Sequence, residues 1–384
     1  MISCGEPSGD LYAGALATEI RKLSPDAVVT GFGGERLRAA GASLVGDFAG
    51  LSVTGLLEVA RVLPKTYAIY RQLLAEADAQ RPDVFVAIDF PDFNFRLARA
   101  LRGCGIPVVY YISPQLWAWR RGRMKTMRQI ADKVIVIFAF EERIYREAGV
   151  PVQWVGHPLL DLAGDVEPRD RFLENVGLDP ARPVVALLPG SRRNELRAIL
   201  PNLATAARII RAKRQDVQFV VARAPHLDDG LFEPVHPLVQ EGVPIAILEG
   251  RTDSVLSTAA VALVASGTVT VQAALHGCPM VVVYRLSPLT YRLGRPFVHV
   301  DTFAMANLVA GRKVVPELIQ DDFTADATAA EALKVLDDAG YAARVRAELA
   351  TVRAKLGAAG ASRRAAEAVL AVATGATLAA SRSV

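Results

Sequence analysis

The sequence predicts an α/β protein built from two successive parallel sheets and completed by a helical tail. Short apolar runs alternate with longer amphipathic stretches, which is the pattern of helices layered on a parallel sheet. A polar, proline-containing break follows Val155, and the same alternation then restarts. The region of about residues 325–380 is alanine-rich and has helical periodicity. We therefore expect a first domain over residues 1–160, a second over 161–345 and a helical tail over 346–384.

The apolar runs predict where the strands lie. In the first half these runs are Ile2–Cys4, Val28–Thr30, Val84–Ile88, Val108–Tyr111, Val134–Ile137 and Val152–Val155. Helices are expected between them, at Leu11–Leu23, Tyr67–Ala79, Phe95–Leu101 and Arg123–Ile130. In the second half the strands are expected at Val184–Leu188, Gln218–Val221, Ile245–Leu248, Val261–Val264 and Met280–Val283. Ligands of parallel sheets bind outside the carboxyl ends of the strands, so the loop after each strand is a candidate site.

One uncharged stretch, Val255–Tyr284, is long enough to cross a bilayer. Its middle contains glycine, proline, glutamine and histidine, which break an apolar span. We interpret it as a buried strand, a Ser-Gly-Thr turn, a helix over Val269–Leu275 and a second strand.

The composition limits the classes of protein. Of the 384 residues, 52% are hydrophobic and 22% charged, which excludes a disordered chain. The net charge of +4 is small and argues against a nucleic-acid binder. Three separated cysteines fit a reducing compartment, and no signal-peptide pattern is present, which predicts a cytoplasmic protein. The sequence lacks the spacing patterns of metal ligands, so neither a metal nor another cofactor is expected.

The loop after the first strand combines glycines with the start of a helix, a place where free backbone amides can bind an anion. It lacks the glycine spacing of a dinucleotide site and the lysine of a P-loop. The alternative is structural: Ser8 caps the helix and Asp10 complements its dipole. The candidate residues of this loop are Gly5, Glu6, Ser8, Gly9 and Asp10.

Two carboxylates, Asp89 and Asp92, follow the buried strand Val84–Ile88 among apolar residues. Desolvation there could raise a carboxyl pKa enough for general-base catalysis. The alternative is that Asp92 or Asn94 caps the next helix while Asp89 ends the strand. Spacing alone does not decide which carboxylate acts as the base.

Two loops of the second half have the features of a diphosphate site. The first places Gly190, Ser191 and Arg192 at a strand end and a helix start, which suits an anion. The second is the Ser-Gly-Thr turn, in which hydroxyls cap a helix start that can face a diphosphate. Gln272 lies one helical turn further and could reach a sugar hydroxyl, or it could simply be a polar residue of a buried helix. The residues of the second loop are Ser266, Gly267, Thr268 and Gln272.

A further segment joins tryptophans directly to arginines. Such a pattern favours an interface with anionic lipid. It also fits single-stranded nucleic acid, or tryptophans in the core with a solvated basic helix face. The residues concerned are Trp117, Trp119, Arg120, Arg121 and Arg123.

Taken together, the loops resemble the lipid-A-disaccharide synthase family over essentially the whole chain. The motifs that carry the resemblance occur in order and at family-like separations. They are Gly5–Asp10, Asp89–Asn94, Ser113–Arg120, Val155–Pro158, Leu187–Arg192, Ala265–Thr268, Pro279–Arg285 and Asn307–Arg312.

The resemblance implies a glycosyltransferase of the GT-B type, with two Rossmann-like domains facing a cleft. Such an enzyme transfers 2,3-diacylglucosamine from UDP-2,3-diacylglucosamine to the 6-hydroxyl of 2,3-diacylglucosamine 1-phosphate, with inversion and release of UDP. The motif match makes Asp92 the base or essential carboxylate. It places Arg192 and Asn307 on the donor side, the Ser-Gly-Thr turn along the diphosphate, and His157 in a loop near the cleft.

The resemblance also implies action at the inner face of the cytoplasmic membrane, on an anionic surface. The tail could pack across domains or between the subunits of a homodimer. Two features depart from the family: Gln272 replaces the usual glutamate, and the first strand is expected to be a few residues short at its start. The alternatives are another GT-B enzyme that uses UDP-N-acetylglucosamine, either a peptidoglycan transferase or an epimerase, and a non-catalytic two-domain sugar-binding protein.

Overall fold

The computed structural model describes residues 1–48, 56–116, 122–164, 166–286, 291 and 302–375, with backbone alone for 56–62. The described chain divides into two compact units. The first contains residues 1–162 and the residues from 356 onward, and the second contains residues 163–286 and 302–355.

The first unit contains a seven-stranded parallel sheet in the order β3-β2-β1-β4-β5-β6-β7. Its strands are β1 Ile2–Cys4, β2 Thr30–Gly33, β3 Ser43–Asp47, β4 Phe85–Ile88, β5 Val108–Tyr111, β6 Lys133–Val136 and β7 Val152–Trp154. Its helices are α1 Pro7–Leu23, α2 Glu35–Ala39, α3 Leu56–Gln80, α4 Pro91–Gly103, α5 Arg123–Ile130, α6 Ala139–Glu147 and α7 Leu159–Leu162, together with a last helix given below. The central strands are fully buried because helices cover both faces of the sheet.

The second unit contains a six-stranded parallel sheet in the order β10-β9-β8-β11-β12-β13. Its strands are β8 Val184–Leu188, β9 Gln218–Arg223, β10 Ile245–Glu249, β11 Val261–Ala265, β12 Met280–Tyr284 and β13 Glu317–Ile319. Its helices are α8 Arg169–Asn175, α9 Arg193–Lys213, α10 His236–Gln240, α11 Thr252–Thr258, α12 Val269–Leu275, α13 Met305–Ala310, α14 Ala325–Asp337 and α15 Ala339–Lys355. Short 3-10 segments cover Asp229–Val235 and Gln320–Asp322.

The last described helix, α16 Ala361–Ala373, belongs to the first unit and packs against α1. Small buried residues, including Ala365 and Ala366, form its inner face. Asp161 accepts hydrogen bonds from the backbone N–H of Gly360 at 2.5 Å and of Ser362 at 2.8 Å, so its carboxylate holds the start of this helix.

The predicted α/β class and the two parallel sheets are confirmed. The uncharged stretch Val255–Tyr284 contains β11, α12 and β12, as interpreted, and these strands are buried. Its first residues belong to α11, which the sequence pattern did not predict. Across the described residues, no helix combines the length and apolarity needed to cross a membrane.

Strand β2 lies further along the chain than predicted. The sequence pattern predicted this strand at Val28–Thr30, but it runs over Thr30–Gly33, and Val28 is 83% exposed. The strand consists largely of glycine around the buried Phe32, so its apolar pattern is weak. Helices α1 and α4 begin earlier than predicted, at Pro7 and Pro91, because proline is favoured in the first turn.

Candidate functional site

The strand order of the first sheet reverses between β1 and β4, which are hydrogen-bonded neighbours. Cys4 and Ile88 are partners at their carboxyl ends, so the Gly5 loop and the Asp89 loop emerge side by side. A Cβ atom on Gly5 would lie 2.3 Å from the Phe90 ring, so only glycine fits beneath that ring. Two of the predicted loops therefore meet at the topological switch point of the first unit, where ligands of such sheets bind.

Asn94 fixes these two loops to each other. Its buried amide accepts a hydrogen bond from Ser3 Oγ at 2.7 Å and donates to the carbonyl oxygens of Ser3, Ile88 and Asp89. Asp89 and Phe90 both have left-handed backbone conformations, with φ of 43° and 48°. Consecutive non-glycine residues in this region store strain, and strain of this kind is common at functional sites.

Asp92 lies in the first turn of α4, and its side chain is 72% exposed. Arg123, the first residue of α5, donates from Nη2 to Asp92 Oδ1 at 2.5 Å. The same guanidinium lies 5.6 Å from the centre of the Phe95 ring, in cation–π geometry. The expectation of apolar surroundings is wrong for Asp92, because its side chain is mostly exposed and pairs with Arg123. The cap alternative also fails, since Phe90 is the N-cap of α4 and Asn94 lies inside the helix.

Asp10 has a clear structural role. Its buried carboxylate accepts hydrogen bonds from the backbone N–H groups of Gly34 at 2.7 Å, Arg36 at 2.9 Å and Leu37 at 3.1 Å. It therefore caps α2, the next helix, rather than only complementing its own. Ser8 lies inside α1 and is not its cap, because Glu6 occupies that position. Gly9 packs against β1, where a Cβ atom would lie 3.3 Å from that of Cys4.

His157 is buried, at 1% exposure, between the rings of Tyr12 and Phe138. Its Nδ1 accepts a hydrogen bond from the backbone N–H of Leu159 at 3.2 Å. Burial lowers the pKa of this imidazole to about 3, so it is neutral at physiological pH. These contacts make His157 a core residue of the first unit.

The strand order of the second sheet reverses between β8 and β11, which are also neighbours. Val264 and Leu188 are partners near their carboxyl ends. The loop over residues 189–192 and the Ser-Gly-Thr turn over residues 266–268 follow these two strands. The structure thus brings the two predicted diphosphate loops to one switch point.

The carboxylate of Glu195 binds to the backbone N–H groups of the Pro-Gly-Ser-Arg loop, where a bound anion was expected. Glu195 Oε2 accepts hydrogen bonds from the backbone N–H of Ser191 at 3.0 Å and of Arg192 at 3.3 Å. Glu195 Oε1 accepts from Arg192 Nη1 at 2.7 Å. The neighbouring Arg193 pairs instead with Asp228 at 2.6 Å, so the two arginines diverge. Glu195 is not among the residues predicted for the site, although the Arg192-to-Glu195 spacing is that of a capping box.

The Ser-Gly-Thr turn uses its hydroxyls differently from the prediction. Ser266 Oγ donates to the carbonyl of Phe303 at 3.1 Å, and Thr268, the N-cap of α12, makes no side-chain cap hydrogen bond in the described residues. The expected hydroxyl caps are therefore absent there. No described atom lies within 4 Å of a Cβ atom built on Gly267. Gln272 is half-buried on α12.

Asn307 is buried, and its amide makes hydrogen bonds at both ends. Its Oδ1 accepts from the N–H groups of Val314 and Val315, and its Nδ2 donates to the carbonyl of Val315 and to Glu317 Oε1 at 2.8 Å. Glu317 also accepts from the backbone N–H groups of Phe303 and Ala304 at the start of α13. Asn307 and Glu317 thus fix the backbone that contacts Ser266.

The tryptophan–arginine segment is described only in part. Trp117, Trp119, Arg120 and Arg121 lie outside the described residues, whereas Arg123 is described and contacts Asp92. Within the described ranges, no group of three or more His, Cys, Asp or Glu side chains could hold a metal ion.

A family model and individual relatives identify the same protein family for this chain. The family model described as lipid-A-disaccharide synthetase matches residues 1–372. A lipid-A-disaccharide synthase from Koribacter versatilis is 47% identical over 357 residues, covering 93% of this chain and 92% of that protein.

Two solved structures share the fold. The UDP-GlcNAc 2-epimerase from Neisseria meningitidis, bound to UDP-GlcNAc, has a TM-score of 0.63 at 14% identity and covers 89% of this chain and 99% of that one. The calicheamicin glycosyltransferase CalG4 has a TM-score of 0.59 at 16% identity and covers 97% and 96% of the two chains. At these identities the structures show the fold alone.

Proposed function

Because this chain belongs to the lipid-A-disaccharide synthetase family, it is a glycosyltransferase of lipid A biosynthesis, and we propose that it transfers 2,3-diacylglucosamine from its UDP derivative to 2,3-diacylglucosamine 1-phosphate. The transfer forms a β-1,6 linkage with inversion and releases UDP. One observation carries the proposal at the level of residues: in each unit the motif loops follow the two strands of the switch point.

The base in this proposal is Asp92. Direct displacement with inversion needs one group that accepts the proton of the acceptor hydroxyl. Asp92 is exposed at the switch point of the first unit, and Arg123 holds one of its oxygens. Asp89 is a second carboxylate on the same loop, half-buried and attached to a strained backbone, and it would shape the pocket around the reacting hydroxyl.

The donor diphosphate is assigned to the second unit. Negative charge develops on the departing diphosphate, so cationic and N–H donors there stabilise the transition state. The Arg192 side chain is 32% exposed at the end of β8, and no described atom lies within 4 Å of a Cβ atom built on Gly267 at the end of β11. Gln272, on the helix that follows, would accept from a ribose hydroxyl. Asn307 would act on the donor side by holding the backbone beside Ser266.

The acyl chains and the acceptor phosphate are assigned to the tryptophan–arginine segment, at an anionic surface on the inner face of the cytoplasmic membrane. Aromatic side chains beside cations favour such an interface. Replacing Trp117 and Arg120 together should reduce sedimentation with anionic vesicles. Unchanged sedimentation would contradict this surface. A homodimer remains a further proposal, tested by the mass of the purified chain in solution.

The reaction is tested by measuring UDP release. Diacylated donor and acceptor together should give turnover, and unacylated UDP-N-acetylglucosamine should not. Turnover with only the unacylated sugar would identify a different GT-B reaction. Binding of both ligands without any turnover would favour a sugar-binding protein.

A further inference from the structure

Glu195 occupies the anion-binding position of the Pro-Gly-Ser-Arg loop. The loop offers two backbone N–H groups at the start of the long helix α9, and one carboxylate oxygen of Glu195 accepts from both. The other oxygen accepts from the Arg192 guanidinium. The Glu195 side chain is 13% exposed, so this carboxylate is largely removed from solvent.

Gly190 shows how closely the carboxylate approaches the loop. Its φ is 115°, and a Cβ atom there would lie 2.5 Å from Glu195 Oε2. Only glycine leaves room for the carboxylate in this position. The loop sequence and Glu195 are therefore matched to each other.

We propose that Glu195 is a positioning residue for the transfer reaction, which fixes the Arg192 guanidinium toward the donor diphosphate while occupying the backbone amides of the loop. This inference rests on the proposed function and deepens it. Because Glu195 takes both amides, the loop acts on the diphosphate through Arg192 and not through its backbone. A guanidinium presents its donors in a rigid fork, so fixing one arm directs the others.

The carboxylate has two opposing effects on the nucleotide. It orients Arg192, which favours binding and transfer, and it places a negative charge near the diphosphate, which disfavours binding. Orientation matters most where charge develops on the leaving group, so we expect the loss of Glu195 to appear mainly in kcat.

Glu195→Gln separates these functions, since glutamine serves as well as glutamate in a capping box. The amides keep an acceptor, but Arg192 loses its ionic partner. We expect kcat to fall about tenfold or more, with the urea midpoint nearly unchanged. Glu331→Gln is the matched control, because Glu331 forms a similar pair with Lys334 at 2.6 Å on α14 and its loss should leave kcat unchanged.

A double-mutant cycle tests whether Glu195 acts through Arg192. In an Arg192→Ala chain, Glu195→Gln should cause no further fall in kcat. An equal fall with and without Arg192, or an unchanged kcat in Glu195→Gln alone, would overturn the inference.

The same double-mutant cycle is repeated with UDP affinity as the measured quantity. Calorimetry gives this affinity without requiring turnover. Removing the charge favours UDP binding in both backgrounds, whereas the orienting effect is lost only where Arg192 is present. The factor by which Glu195→Gln changes UDP affinity should therefore be less favourable with Arg192 than with alanine at that position, and equal factors would overturn the inference. The proposed function fails separately, if the unmodified chain binds UDP but does not turn over the diacylated donor and acceptor.

Discussion

Arg123 Nη2 lies 2.5 Å from Asp92 Oδ1, and this contact joins the start of α5 to the first turn of α4. The sequence assigned these two residues to different tasks, Asp92 to the base and Arg123 to the surface that holds the acceptor. Their pairing connects those tasks, because the cation proposed to bind the acceptor phosphate also holds the carboxylate.

Replacing either partner should affect turnover far more than stability, because exposed ion pairs contribute about 0–1 kcal/mol. We expect Asp92→Asn to lower kcat about a hundredfold or more, since the base is lost. Arg123→Ala should cause a smaller loss and raise KM for the acceptor. Arg102→Ala, which breaks a similar pair with Asp132 at 2.6 Å, is the control and should leave turnover unchanged. Near-normal turnover by folded Asp92→Asn would exclude Asp92 as the base.

Asp10→Asn should destabilise the first unit by about 1–3 kcal/mol, because asparagine cannot satisfy three backbone N–H groups as a carboxylate does. Urea unfolding measures this change. Asp26→Asn, at an exposed position, is the control and should stay within about 0.5 kcal/mol. An unchanged midpoint with lost turnover would instead assign Asp10 to the substrate.

Stability should fall as the pH drops below about 6.5, since His157 is buried with a pKa of about 3. His157 takes up a proton near pH 6.5 in the unfolded chain but not in the folded chain. Its contribution to the free energy of unfolding is therefore intact above that pH and is lost toward pH 3. The loss is at most about 1.4 kcal/mol per pH unit. His157→Asn keeps an acceptor and should show a shallower decrease in urea midpoint between pH 7.5 and 5.5. Equal slopes for the two proteins would refute this account.

Asn307→Asp should lower stability on the order of 3 kcal/mol and abolish turnover, because it places a second carboxylate against Glu317. Adding Glu317→Gln restores a donor–acceptor pair across that contact, although the carbonyl of Val315 still lacks its donor and the glutamine N–H also faces the N–H of Ala304. If Asn307 acts by holding backbone, the double variant should recover part of its urea midpoint and, in proportion, part of its turnover. A partly recovered midpoint without any recovered turnover would mean that Asn307 contacts the donor directly.

Gln272→Glu should leave UDP affinity equal or higher, because glutamate keeps the acceptor oxygen and adds a charge that strengthens its bond to a ribose hydroxyl. Calorimetry with UDP measures this. Gln240→Glu, at an exposed position, controls for the added charge and should have no effect. Clear weakening in Gln272→Glu would refute the ribose assignment.

The central strands could be predicted from sequence because burial on both faces makes them continuous apolar runs. The prediction missed β3 and β13, which lie at sheet edges and are only partly buried. Edge strands have a weaker apolar signal, and three-residue β13 is too short for any periodicity.

The loops of the site could be predicted because ligands of parallel sheets bind at the carboxyl ends of the strands. Carboxylates that accept hydrogen bonds from the chain's own backbone N–H groups were harder to identify. Asp10 caps a helix that begins at Glu35, and no local spacing reveals such a contact. Glu195 was identifiable, since it lies three residues after the N-cap Arg192.

The position of α16 on α1 has a consequence for biosynthesis. The first unit needs a helix encoded near the far end of the chain, whereas residues 163–355 contain nearly everything that the second unit needs. Domains fold as units while the ribosome is still adding residues, and contacts distant in sequence form slowly. A nascent chain can therefore assemble its second sheet while the apolar face of α1 is still exposed, because α16 has not yet been synthesised. The part of the protein that is translated first is the part that is finished last.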